Sequence, residues 1–224
     1  MGKKKKEKEK AFRLMDLPAE IRCLIYEYLL RGKCPVQVIS GYTKKNSRAR
    51  AMLRKGCEPG ISAAILHVNK QIYNESAPIL YGSNTFIGGS PQHASFFVRS
   101  IGGQIRFVQH IGFEYHWKIK IYLKQLVQSL KSAKRLQTLE LPINIAAYYY
   151  RPATLVAELL PLFKLLRDSQ RSVSGKTPRA ISHILAKRPY TPPWDPILYA
   201  RDDACWAETK ALLAKALGED VVGA

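Results

Sequence analysis

Apolar residues recur at helical spacing in two stretches near the N-terminus. In the first, Leu17, Ile21, Leu24, Ile25, Tyr28 and Leu29 fall on one stripe. Pro18 suits a first helical turn, where its fixed φ is already helical and its missing N–H is not needed. Asp16 just ahead is a favourable cap and charge, and Gly32 is a natural stop. The second stretch starts near Ser62, a candidate cap. Ile65, Val68, Ile72, Ser76 and Ile79 share its face, with Leu66, Tyr73 and Leu80 beside it. Pro78 predicts an end or a kink, followed by a short turn that Gly82 closes. The pattern predicts two amphipathic helices sharing one core. Leu17 and Pro18 would stay available at the helix start, while Ile21, Leu24 and Tyr28 turn inward.

Residues 31–60, between the two stretches, read as an insert. Val36, Val38 and Ile39 after Pro35 predict a short strand. Gly41 to Gly60 is basic and punctuated by glycine, and predicts a loop with one helical turn at 47–54. After Phe86, Gly88-Gly89-Ser90-Pro91 predicts a turn, and a short apolar helix at Phe96–Ile101 ends at Gly102-Gly103. Ile105, Phe107, Ile111, Phe113, Tyr115 and Trp117 then alternate with polar residues as a strand does. Ile119, Tyr122, Leu123, Leu126, Val127 and Leu130 form a helical stripe, and Leu139, Leu141 and Ile143 a second strand. This strand, helix, strand order has a crossover long enough for a parallel pair. Leu155 to Leu166 is apolar nearly all round and predicts a buried helix kinked at Pro161. A polar loop at 168–178 and a proline-rich connector from Pro189 to Pro196 follow. A closing helix at 202–217 would be capped by Asp202 or Asp203 and buried through Trp206, Leu213 and Leu217.

The second strand carries a finer pattern. Leu136, Leu139, Leu141 and Asn144 fit L-x-x-L-x-L-x-x-N, the strand motif of leucine-rich repeats. Val108, Ile111 and Phe113 occupy the same places one repeat earlier, with His116 where Asn would be. Any βαβ unit with a buried parallel strand fits the two copies as well. A repeat array needs about three units to be stable.

The two N-terminal segments resemble the F-box-like proteins of filamentous fungi. That family's pattern is a Leu-Pro-x-Glu-Ile-Arg helix ending in Tyr-x-x-Leu-Leu. Val-Cys-Arg-Gln-Ile-Tyr-x-Glu-Ala-x-Pro-Ile-Leu-Tyr-x-x-Asn-Thr-Phe follows. Here Leu17-Pro18-Ala19-Glu20-Ile21-Arg22 leads to Tyr26-Glu27-Tyr28-Leu29-Leu30. The second part runs from Val68 through Gln71-Ile72-Tyr73-Asn74-Glu75 and Pro78-Ile79-Leu80-Tyr81 to Asn84-Thr85-Phe86. Asn69 stands in place of Cys and Lys70 in place of Arg. The match covers residues 12–30 and 61–115. The resemblance implies a helical module that docks on a Skp1-type adaptor of a cullin ubiquitin ligase and presents an unknown client protein. It makes Leu17, Pro18, Ile21 and Ile25 the expected protein-binding positions. A compact F-box joins its helices by short loops, whereas here the insert 31–60 intervenes.

Composition adds a second function class. The chain has 36 Lys and Arg against 17 Asp and Glu, a net charge of +19. Lys3-Lys4-Lys5-Lys6-Glu7-Lys8-Glu9-Lys10 is a low-complexity head, predicted disordered. Its lysines fit a nuclear-import signal or a solubilising tail. Met1-Gly2 also suggests a myristoylated anchor, but Lys6 stands where that motif has Ser or Thr. The insert holds a second basic cluster, from Arg31 to Lys55. A third gathers Lys164, Arg167, Arg171, Lys176, Arg179, Lys187 and Arg188. Such charge favours nucleic acid, acidic protein surfaces or anionic lipid, and equally fits a solvated surface. No apolar run approaches the ~18 residues that cross a bilayer, and no apolar signal segment is visible. Cys23, Cys34, Cys57 and Cys205 show no C-x-x-C spacing and read as reduced thiols in a nuclear or cytoplasmic protein.

Catalytic motifs are missing. His67, His93, His110, His116 and His183 have no metal spacing, and no nucleophile elbow, Walker loop or dinucleotide fingerprint occurs. Tyr148-Tyr149-Tyr150 fits either packing or a binding patch. The expectation is therefore an α+β protein without enzymatic activity, cofactor or metal. A disordered basic head (1–10) precedes an F-box-like helical module (11–103, insert 31–60). An α/β, leucine-rich-repeat-like region with C-terminal helices (104–224) completes it. The alternative function is a basic, nucleic-acid-associated nuclear protein.

Overall fold

Val36, Phe86, Ile111, Leu139 and Leu185 stand side by side across five parallel strands, and none is more than 3% exposed. The row is the spine of a mixed helix-and-strand fold. The computed structural model describes residues 13–43, 46–53, 60–114, 119–142, 145, 151–174, 184–188 and 196–219. The strands are β1 (Val36–Thr43), β2 (Asn46–Leu53), β3 (Thr85–Gly88), β4 (His110–Phe113), β5 (Thr138–Pro142) and β6 (Leu185–Arg188). They form one sheet in the order β2-β1-β3-β4-β5-β6; β2 is antiparallel to β1 and the rest are parallel.

Helices return the chain from each parallel strand to the next, as parallel pairing requires. After α1 (Ala19–Leu30) and α2 (Lys70–Ser83) come α3 (Pro91–Ser100), α4 (Ile119–Leu130), α5 (Pro152–Ser174) and α6 (Pro196–Leu217). Neighbours α3 and α4, α4 and α5, and α5 and α6 pack in sequence. They cover the apolar row with Phe97, Leu123, Leu126, Leu159, Phe163, Trp206 and Leu213, all buried. Phe97 stacks on Phe86 at 4.7 Å. Each such side chain contributes roughly 1.5–3 kcal/mol on burial. Helices α1 and α2 pack on each other around a smaller cluster of Tyr26, Leu30, Ile72 and Leu80.

The predicted parallel pair is present. Ile111 faces Leu139 and Gly112 faces Glu140, so the second unit repeats the first after 28 residues, as His110 against Thr138 shows. The stripe of α4 is buried at Ile119, Leu123, Leu126, Val127 and Leu130. The strand, helix, strand unit is one of three, because β3 and β6 join the same sheet. The sheet therefore takes strands from both the 11–103 and the 104–224 segments.

Several local expectations are corrected. Residues 46–53 form strand β2 of a hairpin, not a loop with a helical turn; pairing with β1 over eight residues decides this. Gly102, at φ +53°, opens a 3-10 helix over Gly102–Phe107, so the strand predicted from Ile105 starts only at His110. Helix α3 begins at Pro91, because the Ser90 side chain accepts the His93 N–H at 3.2 Å and Pro91 fits the first turn. Helix α2 starts after Asn69, which caps Ile72 N–H at 2.8 Å, rather than at Ser62, and it runs through Pro78 to Ser83. Proline removes one helical hydrogen bond there, while Ala77 and Leu80 remain buried on either side of it. Helix α5 continues through Ser174, across much of the predicted polar loop, and its Pro161 is exposed. Helix α6 starts at Pro196, so Asp202 lies inside it and is buried rather than capping it; Lys187 on β6 pairs with Asp203. Cys34 is disulfide-bonded, against the reading of four reduced thiols, while Cys23 and Cys205 are free. The head 1–10, Cys57, His116, Ile143, Asn144, Tyr148-Tyr149-Tyr150, His183 and the connector 189–195 lie outside the described residues.

Candidate functional site

Helix α1 carries two of the four expected binding positions, Ile21 and Ile25, and Leu17 and Pro18 lie just ahead of it; its orientation differs from the expectation. Ile21, Leu24 and Tyr28 are exposed by 43, 61 and 78%, whereas Arg22, Tyr26 and Leu30 are buried. The apolar stripe thus faces outward. Pro18 is exposed, and Leu17 and Ile25 are half-buried. Ile21 and Pro18 therefore belong to the outward face, and Leu17 and Ile25 border it. Ahead of α2, Val68 is likewise exposed rather than buried.

A polar clamp turns the helix this way. The Arg22 guanidinium donates to both carboxylate oxygens of Glu75, Nε to Oε2 at 3.0 Å and Nη2 to Oε1 at 2.8 Å. Its Nη1 donates to the Leu17 carbonyl at 2.6 Å, which fixes the chain entering α1. The Tyr26 hydroxyl donates to Glu75 Oε2 at 3.0 Å, and Gln71 Nε2 to Oε1 at 3.0 Å. Bidentate, charge-assisted bonds of this kind are the strong ones. The Arg22 guanidinium, then the Gln71 amide, hold the Glu75 carboxyl down at about 2. The bond to Glu75 pushes the Arg22 pKa up further, and burial, followed by Glu75, pushes up the Tyr26 hydroxyl.

The other end of the helix pair is fastened by Asn84, which is buried. Its amide donates to the Leu30 and Leu80 carbonyls, both at 2.7 Å, and its oxygen accepts the Gly32 N–H at 2.7 Å. One side chain thus satisfies the C-terminal carbonyls of two helices, which have no intrahelical donors. Entry into α1 differs from the expected capping. Leu14–Asp16 form a 3-10 turn, Pro18 is the N-cap residue, and no side chain caps the helix.

The sequence reading missed Arg22, Tyr26, Gln71, Glu75 and Asn84. A signal existed: Arg22, Tyr26 and Leu30 repeat every four residues, and Glu75 is the sole carboxylate of α2. A longer apolar stripe on the same helix masked it.

Chemistry beyond binding finds little footing. No group of three or more His, Cys, Asp or Glu among the described residues could hold a metal. His110 Nδ1 lies 3.1 Å from Thr138 Oγ1, and burial lowers its pKa while Glu140 opposes that shift. A shallow cleft of about 420 Å³ lined by His67, Lys70 and Tyr73 brings no nucleophile and base together. No helix among the described residues is long and apolar enough to cross a membrane. Comparison with protein-family models, with curated proteins and with solved structures finds no match.

Proposed function

We propose that this chain is an F-box-like protein–protein interaction module, acting by binding rather than by catalysis. Its α1 helix would dock on a Skp1-type adaptor. One observation carries the reading: Ile21, Leu24 and Tyr28 form an apolar stripe on the solvent side of a helix whose other side is locked by Arg22 and Glu75. Exposed apolar side chains aligned on one helix mark interaction surfaces more often than scattered ones do. Pro18 extends the stripe, and Leu17 and Ile25 flank it, in agreement with the positions that the resemblance implies. Other motif positions, Arg22, Tyr26, Glu75 and Asn84, with the exposed Gln71 alongside, hold the helix pair together. A division between cement and contact is what a docking module needs.

The parallel units behind the module support a client-presenting role. His110 follows Thr85 by 25 residues in register and Thr138 follows His110 by 28, both within the ~20–29 of leucine-rich repeats. The step from Leu139 to Leu185 is longer, at 46 residues. We read the region as leucine-rich-repeat-like, with its client unidentified.

The test is co-purification with a Skp1-type adaptor. Leu24→Asp with Tyr28→Ser should abolish it, since binding energy concentrates in a few apolar anchors, and the melting temperature should not move. Wild-type protein that fails to bind the adaptor at low or moderate salt removes the ubiquitin-ligase reading.

A further inference from the structure

A second surface, built from different residues, has its own chemistry. From Ser76 to Leu139 the only carboxylate is Glu114, against eight lysines and arginines. None of the three clusters visible in the composition includes this stretch. Folding gathers part of it. Arg106 and Arg135, 29 residues apart in sequence, both lie over the Phe107 ring, their Cζ atoms 4.7 and 5.8 Å from its centroid. The backbone holds them there: Gln137 N–H and Thr138 N–H both donate to the Gln109 carbonyl, at 2.7 and 2.9 Å. This joins the 3-10 turn that precedes β4 to the turn that precedes β5. Lys131 and Lys134 sit in that second turn, and both are exposed, as are Arg106 and Arg135. No described carboxylate pairs with these four cations. Glu114 lies past the far end of β4, and Glu140 lies inside β5 and interacts with His110.

We propose that this surface binds the phosphodiester backbone of a nucleic acid. Phe107, half-buried, gathers both guanidinium groups at its ring. Two planar forks held this way are pre-organised for phosphate oxygens. The dipole of α4 accounts for cations at its own C-terminus. It does not account for Arg106, which arrives from another element. The positive surface also extends. Lys124 and Gln128 are exposed on one face of α4, and Lys131 follows just past its end, a track of about 10 Å at the helical rise. A track of separated donors suits a polymer of repeated phosphates better than one phosphate group. The net charge of +19 attracts such a polymer from a distance.

The test uses the full chain and a labelled oligonucleotide of about 20 residues, as single-stranded RNA and as duplex DNA, read by anisotropy between about 50 and 200 mM salt. Arg106→Gln, Lys134→Gln and Arg135→Gln together should weaken binding tenfold or more, roughly, and reduce the salt slope by about two to three. A charge-matched control, Lys164→Gln with Lys210→Gln and Lys215→Gln, should change the affinity less than about twofold. All six residues are outside the buried core, so both variants should keep the wild-type melting temperature. Whichever oligonucleotide binds more tightly identifies the preferred nucleic acid. Equal losses in the two variants, unchanged binding by the first, or no binding by the wild type would each overturn the proposal. So would a phosphoserine peptide that binds as tightly as the oligonucleotide, which would mark a single-phosphate site.

Discussion

Glu75 of α2 receives the Arg22 guanidinium of α1 in a bidentate pair, at 2.8 and 3.0 Å, and this pair sets which way α1 faces. A carboxylate with two further donors, Tyr26 and Gln71, has little reason to take up a proton. Its pKa falls from 4.5 to about 2. A lowered pKa means that the contribution is complete above 4.5 and is lost as the pH falls toward 2. Thermal melts of the wild type should therefore show a loss of stability across that window that Glu75→Gln lacks. The variant should melt lower at neutral pH, and the difference should shrink below about pH 3. Parallel curves for the two proteins across the window would show that the pair does not hold the helices.

Asn84 is the corresponding link at the other end of the helix pair. Asn84→Ala leaves the Leu30 and Leu80 carbonyls and the Gly32 N–H without that partner. Leaving one buried polar group unsatisfied costs about 1–3 kcal/mol. Denaturant unfolding should show a loss in or above that range, and Asn84→Asp should not restore the two donated bonds.

Ile72 tests the apolar part of the same interface. It is 2% exposed in the cluster with Tyr26 and Leu30. Ile72→Ala should cost about 2–5 kcal/mol in chemical denaturation, a large share of the ~5–15 kcal/mol of a domain. A loss below about 0.5 kcal/mol would place it outside that core.

The sheet offers an independent check at Gly112. A Cβ added there would sit 2.6 Å from the Glu140 Cβ and 2.8 Å from the Glu140 carbonyl oxygen, so the neighbouring backbone of β5 must move. Gly112→Ala should destabilise by about 1–3 kcal/mol, as overpacking does. The same change at Gly103, where a Cβ meets nothing within 4 Å, should be mild by comparison.

What the sequence revealed follows from what each element depends on. Helix α4 and strand β5 were legible because one apolar stripe or alternation decides each, and Leu126 or Leu139 has no competing role. Strand β2 was not legible: its stability rests on pairing with β1 across a hairpin, and its arginines mask any apolar pattern. Strand β3 was obscured by Gly88-Gly89, which read as a turn although Gly88 ends a buried strand. In α1 the helix was legible but its rotation was inverted. Hydrophobicity alone points Leu24 inward, and nothing local shows that Arg22 will find Glu75 53 residues away.

That inversion gives the most direct test of the candidate site. Leu24 and Tyr26 are two residues apart on one helix, and the structure assigns them opposite environments, 61% and 0% exposed. Leu24→Ser should change stability by no more than about 0.5 kcal/mol, the range of surface substitutions. Tyr26→Phe keeps the ring and removes the hydroxyl that donates to Glu75 Oε2 at 3.0 Å. A hydrogen bond to a charged group contributes about 1.5–3 kcal/mol, and the half-exposed carboxylate lowers the expected loss toward the bottom of that range. Tyr28→Ser should behave like Leu24→Ser. The order is then decisive: Tyr26→Phe, the most conservative of the three changes, should be the most damaging. If Leu24→Ser costs more than Tyr26→Phe, α1 buries its apolar stripe, and the surface offered to an adaptor does not exist.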